Sequence, residues 1–359
     1  MDTKNCGTGQ ILYNIGIDQH KHYSMVGVMD QAGNKLMVQK LYHNDKEAIK
    51  EFFRQFPSTS ARIALEATGF WYWLYDLLES LGLDVKLVHP LKVRLIAENR
   101  IKTDKVDAFA LAELLRLDAL PVSYIPSHEI RDCRELLRHR IVLVHQRTSL
   151  KNRIESVLSK LGIEKEVVNL YSLEGKSWLK GLNLSEPYQL ELNNYLELIE
   201  KLTEMVVGLD KHINKYLTKD ERAKYLESIP GVGRYTAYLI LAEIGDINRF
   251  GSAKKLASYA GLVPSVHQSG QVKYFGRITK EGDIYLRCGM VEAAHVAVRF
   301  DEGLKARYQK LRRYKGSAKA ITAMARELIE IVYCVLKEKR NYYRKYQKTK
   351  GLELITTTE

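Results

Sequence analysis

The sequence predicts an α/β N-terminal domain built on a mixed sheet, a helical middle, and a mostly α C-terminal domain. Three observations carry this. Strand-length and helix-length apolar runs alternate up to about residue 120. Leucines then recur at helical spacing through a long central segment. The last third opens on a glycine-rich turn and ends in long helical stretches.

The N-terminal domain is expected at 11–127, after a tail at 1–10. Tyr13–Asp18 (YNIGID) reads as a buried strand. Tyr23–Asp30 and Lys35–His43 follow, joined by the turn Gln31–Asn34, which makes an antiparallel meander of three strands. A helix fits Lys46–Phe56. Arg62–Glu66 is a strand, Phe70–Leu81 an apolar helix, and Val85–His89 a strand ended by Pro90. Helices follow at about Val93–Glu98 and Thr103–Leu117. A meander that leads into βαβ units implies a mixed sheet covered by helices.

The segment 128–220 is helical. Leu136, Leu143, Leu150 and Val157 repeat every seven residues. Leu192, Tyr195, Ile199, Leu202, Val206, Leu209 and Ile213 alternate spacings of three and four, as in a coiled-coil seam. Gly175–Pro187 reads as a loop between them. The two helices fit a hairpin within one chain and a pairing between chains equally. The first is basic (Arg131, Arg134, Arg138, Arg140, Arg147, Lys151, Arg153), which a solvated face explains as well as a ligand does.

The C-terminal domain is expected at 221–345, before a tail at 346–359. It holds the turn Ile229–Gly233 (IPGVG), a helix at Thr236–Ile244, a second short helix and a β-type segment at Ser265–Gly276. Two long helices, separated near Gly316, finish it.

Composition narrows the function. A formal net charge of +13 and a pI near 9.3 favour a polyanionic partner. No apolar run approaches the roughly 18 residues that span a bilayer, so nucleic acid is favoured over a membrane. The first ten residues lack the apolar core of a signal peptide. Cys6, Cys133, Cys288 and Cys334 are scattered, without a CxxC pair. That argues against a zinc ribbon or a disulfide framework and fits a cytoplasmic, reducing setting. A basic surface with no dedicated partner is the plainer alternative.

Four acids form the candidate metal site. Asp18 ends the first strand (IGIDQHK) and Glu66 a later one (LEATG). If these strands are neighbours, both side chains emerge at one sheet edge. Asp104 and Asp107, three apart in KTDKVDAFALAELL, share a helix face. Together they suit Mg²⁺ or Mn²⁺, because hard divalent cations select carboxylates. Two such ions could clamp the attacking and leaving oxygens of a phosphodiester. Each acid also has an ordinary reading: Asp18 a turn residue, Glu66 a helix cap, Asp104 a first-turn charge favoured by the helix dipole, Asp107 a surface residue.

The phrases GIDQHK, EATGFW and KTDKVDA, with Asp on the first strand, Glu on the fourth and an Asp-x-x-Asp helix, resemble the DEDD-type insertion-sequence transposases. Their catalytic domain belongs to the RuvC branch of the RNase H-like fold, and the group includes the Piv-type DNA invertases. The resemblance covers nearly the whole chain. It implies that Asp18, Glu66, Asp104 and Asp107 are catalytic and bind metal ions. In this family a nucleophilic serine stands shortly before a glycine in the C-terminal domain, and Ser269-Gly270 is the match. Members often carry a second serine just before it, where this chain has Gln268. Ser265, after Pro264, is the runner-up. His267, Lys273, Arg277 and Lys280 are candidate electrostatic helpers.

SIPGVGRYTA (Ser228–Ala237) looks like a helix-hairpin-helix turn. Gly231 and Gly233 would allow positive φ and close approach to a phosphate, which the following helix start would face. An ordinary helix–helix turn is the alternative. Arg299, Lys305, Arg307, Lys310, Arg312, Arg313, Lys315 and Lys319, interleaved with Tyr308 and Tyr314, suit phosphate contacts with stacking. A solvated basic helix fits the same pattern.

The resemblance further implies a covalent phosphoserine link to DNA, a homo-oligomer (dimer or tetramer), and, for some members, a structured bridge RNA as guide. Two other readings stay open. One is a metal-dependent endonuclease of junction-resolvase type with water as nucleophile. The other is a nucleic-acid-binding scaffold on a decayed fold.

Overall fold

The computed structural model describes residues 12–96, 103–217, 220–269 and 272–343. The expected tails, Ala97 and Glu98 of a predicted helix, and Gly270 lie outside these residues. The chain divides into two compact units, Met1–Ile125 and Pro126–Glu359.

The first unit is a five-stranded mixed sheet of order β3-β2-β1-β4-β5. β1 (Tyr13–Gln19), β2 (Tyr23–Met29) and β3 (Lys35–Tyr42) form the antiparallel meander. β4 (Ala61–Glu66) and β5 (Asp84–Val88) add to it in parallel. β1 and β2 are buried on both faces, and in β1 the buried isoleucines Ile15 and Ile17 alternate with Asn14, Gly16 and Asp18 on the opposite face. On one face Ile15, Ile17, Val26, Ile63 and Leu65 join Ile49 and Phe53 of α1 (Lys46–Arg54) and Leu74 and Leu78 of α2 (Tyr72–Ser80). The other face is built for close approach. Gly16 lies against α4 (Asp104–Arg116), where a Cβ would stand 2.0 Å from the Ala108 carbonyl oxygen. Gly27, opposite Gly16 in the register, takes the ring of Phe109. Ala64 and Val88 meet Leu111 and Leu115 there. α3 (Pro90–Ile96) starts at the proline that ends the preceding strand, as suits a residue without an N–H to lose.

The second unit is helical around one small hairpin. α5 (His128–Lys160) and α7 (Glu186–Leu217) pack side by side. Arg140 pairs with Asp210 and Arg147 donates to Thr203, so sequence advances on one as it retreats on the other. The leucine seams therefore close as an antiparallel hairpin within the chain. The expected loop Gly175–Pro187 is mostly helix. α6 (Leu173–Gly181) occupies its first half, capped by Ser172, and Pro187 sits in the first turn of α7. Gly175 is needed for packing, since a Cβ there would stand 2.2 Å from the Asn169 carbonyl oxygen.

α8 (Arg222–Glu227), α9 (Arg234–Ile244), α10 (Ala253–Tyr259), the hairpin β6 (Pro264–Ser269) with β7 (Val272–Ile278), and α11 (Ile284–Phe300), α12 (Glu302–Lys315) and α13 (Ser317–Glu338) follow. The terminal region has three helices where two were expected. The additional break is at Asp301, whose side chain caps α12 at the Leu304 N–H. Gly316, at φ 76°, makes the predicted break.

The basic face of α5 has a third explanation, neither solvation nor a ligand. Arg131 and Arg134 are buried. Arg134 donates to the carbonyls of Ala242 and Glu243, and Arg138 grips the Glu243 carboxylate with two 2.7 Å bonds. Glu243 is fully buried on α9. Asp283, which caps α11 at the Leu286 N–H, completes the cluster. Burial first, then the charge of Glu243, pushes the Asp283 carboxyl up to about 7. A raised carboxyl holds a proton in the folded state, so its contribution is full below the ordinary value near 3.8 and is lost as pH rises through about 7. Asp283→Asn keeps the cap and removes the titration. We expect denaturation at pH 5 to 8 to show the parent losing stability relative to D283N, by at most about 1.4 kcal/mol per pH unit. A constant difference across that range would contradict a raised Asp283 carboxyl.

Candidate active site

The C-terminal ends of β1 and β4 lie side by side, with Ile17 opposite Leu65 in parallel register. Asp18 and Glu66 are the next residue on each strand and point to the face that carries α4. The EATG loop is tied to β1 at this edge. Gln19 donates to the Phe70 carbonyl and Thr68 to the Gln19 side chain. α2 begins after Trp71 without a side-chain cap, so Glu66 is not a helix cap.

α4 supplies the other two acids. Its cap is Thr103, whose hydroxyl accepts from the Val106 N–H, so Asp104 is free of capping duty. The packing of Ala108 on Gly16 sets the first turn of α4 beside Asp18, two residues further along β1. Asp107 is half-buried, and the side chain of Asp104 is 41 % exposed.

Two residues that the motif reading left unassigned join them. His20 Nε2 stands between two carboxylates, 3.1 Å from Asp18 Oδ2 and 3.4 Å from Asp104 Oδ2. The Tyr23 hydroxyl donates to the same Asp104 oxygen at 2.8 Å. Tyr23 stacks on the His20 ring at 4.7 Å, and the Lys40 ammonium lies 3.7 Å from the Tyr23 ring centre. His20 was detectable in principle, because it stands just past the end of β1, two residues beyond Asp18. Tyr23 reaches Asp104 across 81 positions, and no local pattern carries that.

The electrostatics are those of a crowded anionic pocket. Burial pushes the Asp18 carboxyl above its ordinary value. His20 opposes this, while the charges of Asp107 and Asp104 add to it. The hydrogen bond from Tyr23 holds Asp104 below its ordinary value and raises the Tyr23 phenol. A pocket that concentrates carboxylates and partly desolvates one of them suits a cation. Asp18, His20 and Asp104 offer donor atoms within 4.8 Å of one another.

The remaining predicted residues belong to the second unit. Ser269 ends β6 and pairs with Val272, which puts its backbone at the tip of the two-stranded hairpin. Ser265 sits deeper in that hairpin, with its hydroxyl 2.2 Å from where a Cβ on Gly276 would stand. Arg277 on β7 and Lys280 just after it are exposed, as are Arg312 and Arg313 in the last turn of α12, where they also complement the helix dipole. Tyr314 beside them is 81 % exposed.

The glycine turn corrects one expectation. Gly231 does adopt positive φ, at 84°, but its close neighbour is its own chain. A Cβ there would stand 2.1 Å from the Ala293 carbonyl oxygen of α11. Gly233 has φ −85° and ψ 174°, ordinary extended backbone, and caps α9 with open space on its Cβ side. Packing requires Gly231, and only Gly233 leaves room for a ligand at the helix start.

Among the described residues no helix is long and apolar enough to cross a membrane, and Cys133, Cys288 and Cys334 are unpaired.

Comparison with known proteins bears on both units. Residues 15–163 match the family model of the DEDD transposases of IS110 type, described as Transposase. Residues 223–309 match the model described as Transposase IS116/IS110/IS902 family. A Pseudomonas aeruginosa protein described as "Probable family 20 transposase" is 28% identical over 293 residues, covering 80% of this chain and 85% of its own. The transposase for insertion sequence element IS1111A of Coxiella burnetii is 28% identical, covering 78% and 79%. The pilin gene-inverting protein of Moraxella bovis is also 28% identical, covering 79% and 83%. With its carboxylates gathered at the edge of a mixed sheet and both family models matched in order, the chain belongs to the DEDD-type insertion-sequence transposases.

Proposed function

We propose that the chain cleaves and rejoins DNA strands, with Asp18, Glu66, Asp104 and Asp107 holding divalent cations and Ser269 as nucleophile. The observation that carries the reading is the convergence of acids from β1, β4 and the first turn of α4 at one edge of the sheet. When bound, a divalent cation supplies positive charge that stabilises the phosphorane-like transition state. The protein's own part is to hold Asp104 ionised through the Tyr23 hydroxyl and to fix Asp104 and Asp18 through His20 between them.

Ser269 Oγ forms a bond to phosphorus as the bond to one deoxyribose oxygen breaks. The hydroxyl proton leaves to solvent or a nearby base, and the departing oxygen is protonated. The phosphoserine ester conserves the bond energy, so a new strand end can reverse the step without ATP. The hairpin-tip position of Ser269 favours it over Ser265, whose hydroxyl is packed against Gly276. Arg277, Lys280, Arg312 and Arg313 contact phosphates in this reading, and Gly233 opens the start of α9 to one. Gly231 supports that turn from behind. A homo-oligomer, dimer or tetramer, and a structured bridge RNA that selects the target complete the proposal.

The test uses labelled DNA carrying the ends that flank the gene. The parent is expected to leave a protein–DNA species that survives denaturation, and Ser269→Ala is expected to lose both that species and strand exchange. Full cleavage by Ser269→Ala, with no covalent species from the parent, would leave the endonuclease reading in its place.

A further inference from the structure

We infer that His20 is a nitrogen ligand of the cation held by Asp18 and Asp104, and that it tips this site toward Mn²⁺ over Mg²⁺. The inference rests on the carboxylate site proposed above and goes further, to which ion that site selects.

Geometry is the first argument. Cis donors around an octahedral ion with bonds of about 2.1 Å lie about 3 Å apart. His20 Nε2 is 3.1 Å from Asp18 Oδ2 and 3.4 Å from Asp104 Oδ2. Both imidazole–carboxylate separations are thus close to the spacing of neighbouring ligands, and all three donor atoms lie within 4.8 Å of one another. A small outward movement of the imidazole would admit the ion between them. The ring is also positioned from behind: Tyr23 stacks on it, and the His20 backbone N–H is fixed by the Tyr23 carbonyl.

Chemistry is the second argument. Mg²⁺ binds oxygen and keeps its waters, whereas imidazole nitrogen raises affinity for first-row transition ions. An all-carboxylate site discriminates little between Mg²⁺ and Mn²⁺. One nitrogen shifts the balance toward Mn²⁺ without requiring the tetrahedral, sulfur-rich surroundings that Zn²⁺ prefers. Tyr23 contributes by donating to Asp104 Oδ2, which limits how that carboxylate turns.

The experiment is electron paramagnetic resonance of Mn²⁺ bound to the full chain, with electron spin echo modulation to detect a coordinated nitrogen. The parent is expected to show nitrogen modulation, and His20→Ala is expected to lose it. In competition with Mg²⁺, the excess needed to displace Mn²⁺ is expected to fall about ten-fold in His20→Ala. Parent Mn²⁺ without nitrogen modulation, or modulation that persists in His20→Ala, overturns the assignment. The parent spectrum decides by itself if the variant does not fold. Asp18→Ala separates the two levels. If it leaves Mn²⁺ binding unchanged, the carboxylate site itself is wrong. If it abolishes binding while the parent lacks nitrogen modulation, only His20 is.

Discussion

Asp18→Asn is expected to reduce strand cleavage and exchange about a thousand-fold or more while leaving the metal-free protein as stable as the parent, or more stable. The loss of activity follows from removing the central acid of the pocket, the one that both His20 and the charges of α4 face. Removing a single group that stabilises charge in a transition state commonly costs a hundred- to a thousand-fold, and a missing ligand also weakens the cation. The stability argument has the opposite sign. Burial and the charges of Asp107 and Asp104 hold the Asp18 carboxyl above its ordinary value. A carboxyl raised in this way stabilises the fold fully only below its unfolded value and loses that contribution as pH rises through the folded one. At pH 8 the ionised group opposes folding, and a neutral isostere removes the opposition. Thermal melts in chelator at pH 8 check this half. Melts with added Mn²⁺ check the other: the ion should raise the parent's midpoint and leave that of D18N unmoved. A D18N protein that melts well below the parent in chelator would mean that Asp18 is a structural residue.

Such a trade would be the physical signature of a site held ready for a ligand. In the reading proposed above, a bound cation would relieve the mutual repulsion of Asp18, Asp104 and Asp107. His20 relieves part of the same repulsion when no cation is there.

The acids were legible in the sequence because each sits at a position that local rules define. Asp18 and Glu66 stand at the C-terminal ends of short strands marked by the buried residues Ile15, Ile17, Ile63 and Leu65. Asp104 and Asp107 open a helix with a threonine cap before it. What stayed hidden depends on partners far away in the chain. The arginines of α5 look like a polyanion-binding face until Glu243, 105 positions from Arg138, is placed against them. Tyr23 looks like an ordinary strand aromatic until α4 arrives. Gly175 and Pro187 read as loop residues because glycine and proline usually punctuate helices, yet one is required by a close backbone approach and the other by a helix start. Gly231 and Gly233 look equivalent in IPGVG, and only the packing of α11 separates them. For Ser269 the local pattern is a serine beside a turn, which most proteins contain. The role proposed for it rests on the resemblance to the family alone.

Gly16→Ala is the substitution that should damage the site most without touching any ligand. The added methyl would stand 2.0 Å from the Ala108 carbonyl oxygen, 2.6 Å from the Ala112 nitrogen and 2.9 Å from Leu111 Cβ. Two of these are backbone atoms of a helix, which cannot swing aside as a side chain can. α4 must therefore lift as a body. Its far end resists, because Arg62 holds the Leu115 carbonyl and Asp118. The strain falls on the near end, where Asp104 and Asp107 begin the helix. Overpacking of this kind costs about 3 kcal/mol, which for a unit of this size lowers the melting midpoint by roughly 10 °C. A shift of the first turn by about 1 Å also removes the carboxylate spacing that a cation needs, and activity should fall about a hundred-fold in the fraction that stays folded. Gly27→Ala is the control. It lies opposite Gly16 in the register, but the three atoms nearest its methyl would all belong to the Phe109 ring, from 3.0 Å, and a ring edge can yield. We expect G27A to cost under about 1 kcal/mol and to keep most of the activity. Equal effects at the two glycines would mean that α4 is not clamped at its far end, and that its acids are placed by something other than the contact at Gly16.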